Sequence, residues 1–379
     1  MTESHKTEVL PTHTAALFKA AVSRAADLLR VGQLVALPTE TVYGLAANAL
    51  DAKAVRHIFE AKGRPAHNPI IVHVSSLAMA RRCVSDWPNA ADRLARAFWP
   101  GPLTFVLPKA DTIPPIVTAG GETVGVRWPS HPFVQAVIRA CDFPLAAPSA
   151  NRSTQVSPTT ARHVVTALAG RISLVVDGGP CPVGIESTVL DLTVSPPRVL
   201  RPGMIHEESL RATLGERGTR SAERGTKAQL GKRGTRNAER GVEDQLGKRG
   251  TRNAECGVES QTVGRTPELR SPGLLPRHYS PRAKLVLLRW ANDAELRARL
   301  AEFGPRLRPA HIVAHTRIPS GERFEHVSVI PHDPEAFARA LYAELHRCNE
   351  AGARLIVVEA LPDTPEWRAI SDRLRRAAS

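Results

Sequence analysis

The chain has 379 residues, 42% of them apolar, which is enough for a sizeable core and about two domains. No apolar run approaches the ~18 residues of a membrane span, and "MTESHKTEVLPTHT" has no apolar stretch, so neither a membrane helix nor a secretory leader is expected. Five scattered cysteines with no CxxC pair argue against a disulfide framework or a zinc site and for reduced thiols in a cytoplasm, while a net charge of +14 suits polyanions and equally a solvated basic surface.

In chain order, "HTAALFKAAVSRAADLLRVG" has helical apolar spacing and ends at Gly32. "QLVALP" reads as a buried strand. "DAKAVRHIFEAKG" predicts a helix with Asp51 as N-cap, Val55, Ile58 and Phe59 on one face, and Gly63 just past its end. "PIIVHV", "LTFVLP", "TVGVRWP", "ISLVVDGG" and "STVLDLT" read as further strands. "SPTTARHVVTALAG" predicts a helix capped by Ser157, with Pro158 at its first position and Gly170 after its end. The alternation predicts an α/β domain with a mixed sheet.

Residues 214–261 are three tandem 16-residue units, among them "LGKRGTRNAERGVEDQ". Each has too few apolar residues to offset its ordering entropy, so residues 212–268 are expected to be a disordered linker. A basic RNA-tethering arm is the alternative reading. Beyond it, "AKLVLLRW", a helix over 293–302, "AHIVAHT", the helix in "DPEAFARALYAELHRCNEAG", "ARLIVVEAL" and "TPEWRAISDRLRRAA" predict a small Rossmann-like domain. That part carries no phosphate motif of its own.

The stretch "KGRPAHNPIIVHV" places Lys62 and Arg64 around Gly63, between a helix and a strand. Connections at sheet edges are where α/β domains put ligand contacts, and two cations there suit a polyphosphate. There is no GxxxxGK[ST] and no GxGxxG, so neither a P-loop nor a dinucleotide fold is expected. Taken alone, Lys-x-Arg reads as a surface pair.

Its company is more specific: "LPTETVYGLAANAL", "WPGPLTFVLP", "TVGVRWPSHP", "PLAAPSANRSTQVSP", "VVDGGPCPVGIESTVLDLT", "VLRPG" and "SPGLLPRHYSP". In this order the motifs resemble the threonylcarbamoyl-AMP synthases over about residues 9–206. The "HYSP" segment and the α/β tail resemble the long, two-domain form.

That resemblance implies a YrdC-like catalytic domain over residues 9–206, with a twisted mixed sheet and a concave basic face. It also implies a lid segment over 269–281 and a C-terminal α/β domain over 282–379. It implies that L-threonine, bicarbonate and ATP become threonylcarbamoyl-AMP and pyrophosphate, for modification of the adenosine next to the anticodon of tRNA. A carboxylated threonine attacks the α-phosphorus, so positioning and cationic stabilisation with Mg²⁺ are expected rather than a covalent nucleophile. Lys62, Arg64, Ser149 and Asn151 are the implied catalytic residues. Arg64, Asn68, Thr123, Ser149, Asn151, Ser157, Arg201 and Tyr279 are the implied ATP contacts. Thr41, His73, Arg127, Ala147 and Ser187 are the implied threonine pocket, with Arg127 as the carboxylate partner. No dedicated protein metal site is implied. A tRNA or RNA contact through the basic face and a downstream tRNA threonylcarbamoyl transferase complex are the expected partners, without a membrane.

Plainer readings stand beside these. Apart from the resemblance, His73 reads as a structural histidine, Ser157 as an N-cap, and Tyr43 as core. Trp99 and Trp128 read as packing, and Cys181 as an inert thiol. Two rival functions remain: a double-stranded RNA-binding module, and a carbamoyl-transfer maturation factor. The second would bring zinc-finger cysteine pairs and an acylphosphatase-like segment, neither of which is present. Aromatics at 4% are few for a base-stacking RNA platform.

Overall fold

The structure is a computed structural model that describes residues 6–215, 271–272, 278–307, 309–320, 324 and 326–379. The repeats expected to form a linker lie outside the described residues from 216 onward. The described residues of Met1–Arg217 and Glu268–Ser379 form one compact unit.

The first part runs β1 (Glu8–Pro11), α1 (Ala15–Arg30), β2 (Val35–Leu37), β3 (Gly44–Asn48), α2 (Ala52–Lys62), β4 (Val72–His73), α3 (Leu77–Arg82) and α4 (Asn89–Phe98). It continues through β5 (Leu103–Pro108), β6 (Thr123–Arg127), α5 (Pro132–Cys141), β7 (Leu145–Ala146), α6 (Ala161–Leu168), β8 (Leu174–Asp177), β9 (Thr188–Asp191), β10 (Arg198–Arg201) and α7 (Glu207–Thr213). The strands make one sheet in the order β1-β8-β2-β3-β7-β4-β6-β5-β9-β10. It is mixed: β4 pairs parallel with β6, and β7 antiparallel with both β3 and β4.

Local chemistry accounts for the elements that hold the site. Asp51 caps α2 by accepting from the Lys53 N–H, and Gly63 ends it in the left-handed conformation. Val55 and Ile58 are fully buried, so the apolar stripe of α2 lies in the core and carries Lys62 inward with it. Trp99 stacks on Phe105 at 4.5 Å and Tyr43 is fully buried, so both are packing residues.

The second part runs β11 (Lys284–Leu288), α8 (Asp293–Glu302), β12 (Ala310–Ala314), β13 (His326–Val329), α9 (Pro334–Glu350), β14 (Leu355–Glu359) and α10 (Arg368–Ala378). Its sheet has the order β11-β14-β12-β13 and is parallel throughout. Alternate residues of β14 face opposite ways. Leu355 and Val357 pack with Leu296 of α8, whereas Ile356 and Val358 pack with Phe337 of α9 and Leu374 of α10. Helices on both faces of a parallel sheet make this part doubly wound. Its core continues into the first part through Val42, Val156 and Ile185.

Three expectations need correction. Ser157 does not cap α6. The helix starts three residues later than expected, and Thr160 accepts from the His163 N–H. Pro158 therefore precedes the helix. "PIIVHV" contributes only Val72–His73 to the sheet. The expected linker starts late as well, because α7 extends through Thr213.

Candidate functional site

A narrow cavity opens where β4 and β6 end and β3 and β9 begin, beside the loops at 147–149 and 184–187 and the segment carrying Tyr279. It gathers Thr41, Arg64, His73, Arg127, Ala147 and Ser149. Ser187, Arg201 and Tyr279 line it too. Nine of the residues implied by the motifs are thus brought together from segments spread over more than 200 positions.

Arg127 ends β6, and its guanidinium is fixed on three sides. Nε donates to the Gly101 carbonyl at 3.2 Å and Nη1 to Thr41 Oγ1 at 2.9 Å, while Nη2 lies 2.6 Å from Glu40 Oε1. Burial raises the Glu40 pKa, but the Arg127 charge and the Ser130 N–H outweigh it, so the carboxyl is held below the ordinary value. Thr41 in turn shares a 2.9 Å hydrogen bond with Thr39. His73, on the neighbouring strand, is pushed down to about 3 by burial and then by Arg127. It is a neutral imidazole, and its buried Nδ1 has no hydrogen-bond partner.

The opposite wall is built on Arg201 and Ser187. Arg201 donates to the Ser187 carbonyl at 3.1 Å and to Ser187 Oγ at 3.2 Å, and Ser187 Oγ also meets Thr104 at 2.8 Å. Arg64 reaches in from the α2 end. It is braced by donating to the Asn68 carbonyl at 3.1 Å and the Pro69 carbonyl at 2.7 Å. Burial lowers its pKa to about 9, with Tyr279 opposing and Arg201 adding, so it remains a cation at neutral pH.

Tyr279 closes the cavity. It is 1% exposed, has φ of 60°, and its hydroxyl has no hydrogen-bond partner. A left-handed tyrosine costs on the order of 1–3 kcal/mol and persists only where its surroundings hold it. Here Tyr342 stacks on the ring at 5.8 Å and the Arg373 guanidinium lies 5.3 Å from its centroid.

Five implied residues stand outside the lining. Lys62 is buried and donates to the backbone carbonyls of Ser149, at 2.6 Å, and Asn151. Its ammonium therefore holds the 149–151 loop in this structure. Burial and then Arg64 depress its pKa well below the usual lysine value. Asn68 is fully buried with neither side-chain atom hydrogen-bonded, and Asn151 Oδ1 is likewise unpaired. Ser157 donates to Glu186 Oε1 at 2.6 Å. Thr123 opens β6, about 13 Å along the strand from Arg127.

Two functional-looking acids escaped the sequence reading. Glu40 sits inside the quoted "PTETV" and Glu186 inside "GIEST". Their only signal was a carboxylate among buried threonines and serines. Glu186 lines the cavity and accepts from Arg373 Nε at 2.8 Å and the Tyr342 hydroxyl at 3.0 Å.

Among the described residues no group of three His, Cys, Asp or Glu side chains could hold a metal ion. Both nearby carboxylates are already matched by arginines. The neutral oxygens of Ser149 and Asn151 fit a Mg²⁺ that arrives on phosphates rather than one caged by protein.

Comparison with known proteins follows the same outline. The family model described as "Telomere recombination" matches residues 27–203, and that described as "Threonylcarbamoyl-AMP synthase, C-terminal domain" matches residues 240–379. The second match begins inside the repeats. A threonylcarbamoyl-AMP synthase of Pyrococcus abyssi is 35% identical over 357 residues, covering 93% of each chain. One of Schizosaccharomyces pombe is 35% identical over 414 residues, covering 100% of this chain and 92% of its own. The crystal structure of P. abyssi Sua5 complexed with L-threonine superposes with a TM-score of 0.78 at 33% identity, over 98% of this chain and 97% of that one. The fold, the motif set clustered at one cavity and these full-length matches place the chain in the threonylcarbamoyl-AMP synthase family.

Proposed function

We propose that this chain is a nucleotidyltransferase that makes threonylcarbamoyl-AMP and pyrophosphate from L-threonine, bicarbonate and ATP. The observation that carries this reading is a concentration of unpaired polar atoms. Buried polar groups are nearly always hydrogen-bonded, yet Asn68, His73 Nδ1, Asn151 Oδ1, His278 Nδ1 and the Tyr279 hydroxyl, in or beside one cavity, are not. Such a set suits a polar substrate, and the arginines among it suit an anionic one.

In this reading Thr41, His73, Arg127, Ser187 and the backbone near Ala147 take the amino acid. Neutral His73 accepts a hydrogen bond. With a pKa of about 3 it is too weak a base to remove a proton efficiently at neutral pH. Arg64, Arg201, Ser149 and Tyr279 face the nucleotide, with Asn68, Asn151, Ser157 and Thr123 further along it. Lys62 acts one step back, by fixing the loop that carries Ser149 and Asn151.

The threonine amine and bicarbonate condense to an N-carboxylate with loss of water. An oxygen of that carboxylate bonds to the α-phosphorus as the α–β anhydride breaks, and the electron pair leaves on pyrophosphate. Arg64 and Arg201 are placed to stabilise the charge that builds on phosphate oxygens. Ser149 and Asn151 would hold a Mg²⁺ brought in on the phosphates, and that ion would supply further neutralisation. The cavity now measures about 50 Å³, which is too small for ATP, so Tyr279 must swing away for substrate entry.

Free, buried thiols at Cys83, Cys141, Cys181 and Cys348 support a cytoplasmic setting, and no described helix is long and apolar enough to cross a membrane. The product would pass to a tRNA threonylcarbamoyl transferase complex, with tRNA as a further contact of the basic surface. The test is threonine-dependent pyrophosphate release from ATP with bicarbonate. No release, together with duplex RNA binding of steep salt dependence, would favour an RNA-binding module instead.

A further inference from the structure

A larger cavity, of about 590 Å³, lies in the second part and shares no residue with the first. Its position follows from topology. β11 and β14 are adjacent and parallel. The chain leaves β11 to α8 on one face of the sheet and leaves β14 to α10 on the other. Neighbouring strands whose connections part to opposite faces leave a crevice at their carboxyl ends, where open α/β sheets bind ligands. The lining matches that crevice: Arg289 and Trp290 follow β11, His315 and Arg317 follow β12, and Glu359 ends β14.

The chemistry of the lining is that of an anion site without a glycine loop. The Glu359 carboxylate accepts from the backbone N–H groups of His315, Thr316 and Arg317 at 2.7, 2.9 and 3.1 Å, and from the Thr316 hydroxyl. It fills the amide nest itself and so fixes the loop that presents Arg317. Glu295 is engaged as well, with the Ala291 N–H at 2.8 Å and Arg299 at 3.5 Å. Arg289, Arg299 and Arg317 thus outnumber the acids at the rim, and all three are exposed.

His315 backs the cavity. Its side chain is 2% exposed, its Nδ1 is 2.7 Å from His332 Nδ1, and its buried Nε2 lies 3.9 Å from Glu359 Oε2, so it packs behind the carboxylate that fixes the loop. Trp290 and Leu361 supply an apolar wall, and Trp290 Nε1 is tied to the Arg317 carbonyl at 3.1 Å. The volume lies within the ~300–1,000 Å³ of small-molecule sites.

We propose that this crevice is a second ligand site, taking a phosphorylated molecule of mononucleotide size on Arg289, Arg299 and Arg317, with its apolar part against Trp290 and Leu361. The site is separate from the reaction site, so it survives or fails independently of the proposed activity.

The test uses the full chain with ¹⁵N-labelled tryptophan and ADP as the probe. The indole resonance of Trp290, assigned with Trp290→Phe, is expected to shift saturably on ADP addition. The Arg289→Ala/Arg317→Ala double variant should raise the apparent Kd by about tenfold or more, the scale of losing charge-assisted contacts. Arg289→Glu, at an exposed position, serves if the double variant does not fold, and should weaken binding similarly. An unmoved Trp290 signal at millimolar ADP would overturn the proposal. So would an equal response in the variants, or a response to tRNA but none to ADP.

Discussion

Arg373 of α10 donates to Glu186 Oε2 at 2.8 Å and to the Glu186 carbonyl at 3.3 Å, so the last helix of the chain grips a residue on the wall of the first cavity. Arg373 is fully buried. Burial alone would raise the Glu186 pKa, but Arg373 and then Arg201 hold it below the ordinary value. The second part of the chain therefore supplies the countercharge for an acid of the first.

Removing that countercharge should be costly. Arg373→Met leaves Glu186 buried without its main partner, and breaking a buried pair costs about 3–5 kcal/mol. Adding Glu186→Gln should recover much of the loss, because no buried charge is then stranded. Urea unfolding of the single and double variants measures both. A loss below about 1 kcal/mol in Arg373→Met would show that the pair carries little.

Lys62 and Arg64 should separate by phenotype. Arg64 lines the cavity, so Arg64→Ala should lower the rate by about tenfold to a thousandfold and raise the KM for ATP, with a small change in melting temperature. Lys62 caps two backbone carbonyls, so Lys62→Met should lower both the rate and the melting temperature. Steady-state kinetics and thermal melts on the two variants decide it. Equal melting temperatures would contradict the positioning role given to Lys62.

Much of this is legible in the sequence. Asp51 and Gly63 bracket α2 because their own backbone and side-chain chemistry sets a start and a stop. Motif order likewise pointed to the residues that meet at the cavity. What escaped was set by distant packing. β7 is two residues long, and in β13 the polar–apolar alternation runs against the burial, with Ser328 buried and Val329 exposed. Ser157 has the local look of an N-cap but is taken by Glu186, 29 positions away. Lys62 sits in a loop-like motif yet is drawn inward by a helix whose apolar face is buried. Glu186 became visible only when α9 and α10 brought Tyr342 and Arg373 to it.

Acid should destabilise the fold earlier than carboxylates alone would. His73 and His278 are each pushed down to about 3, in both cases mainly by burial. Below an unfolded value of about 6.5 the unfolded chain binds protons that the folded chain refuses. Stability should therefore be level above pH 6.5 and fall as the pH drops toward 3, by up to about 1.4 kcal/mol per pH unit for each histidine. Glu40 and Glu186, with lowered pKa values, add a further loss below about pH 4.5. Melting temperatures between pH 8 and 5 test the first window. His278→Gln should flatten the slope, and an unchanged slope would remove that histidine from the account.

Amino-acid selectivity should run threonine, then serine, then valine. The pocket offers short polar groups from Thr41, His73 and Ser187 around the Arg127 fork. Serine lacks only the methyl group, a difference worth about 1–3 kcal/mol in an apolar niche. Valine lacks the hydroxyl and leaves buried partners unpaired, which is the more severe fault. Arg127 also has internal duties, since one planar group meets Gly101, Thr41 and Glu40 together. An ammonium cannot reproduce that fork. Arg127→Lys should therefore release Thr41 and raise the KM for threonine by about tenfold or more, while the KM for ATP changes less. Pyrophosphate release measured against each amino acid, and against ATP at saturating threonine, separates the two effects. If valine matched threonine, or if Arg127→Lys altered only the ATP dependence, the amino-acid pocket would have to be placed elsewhere.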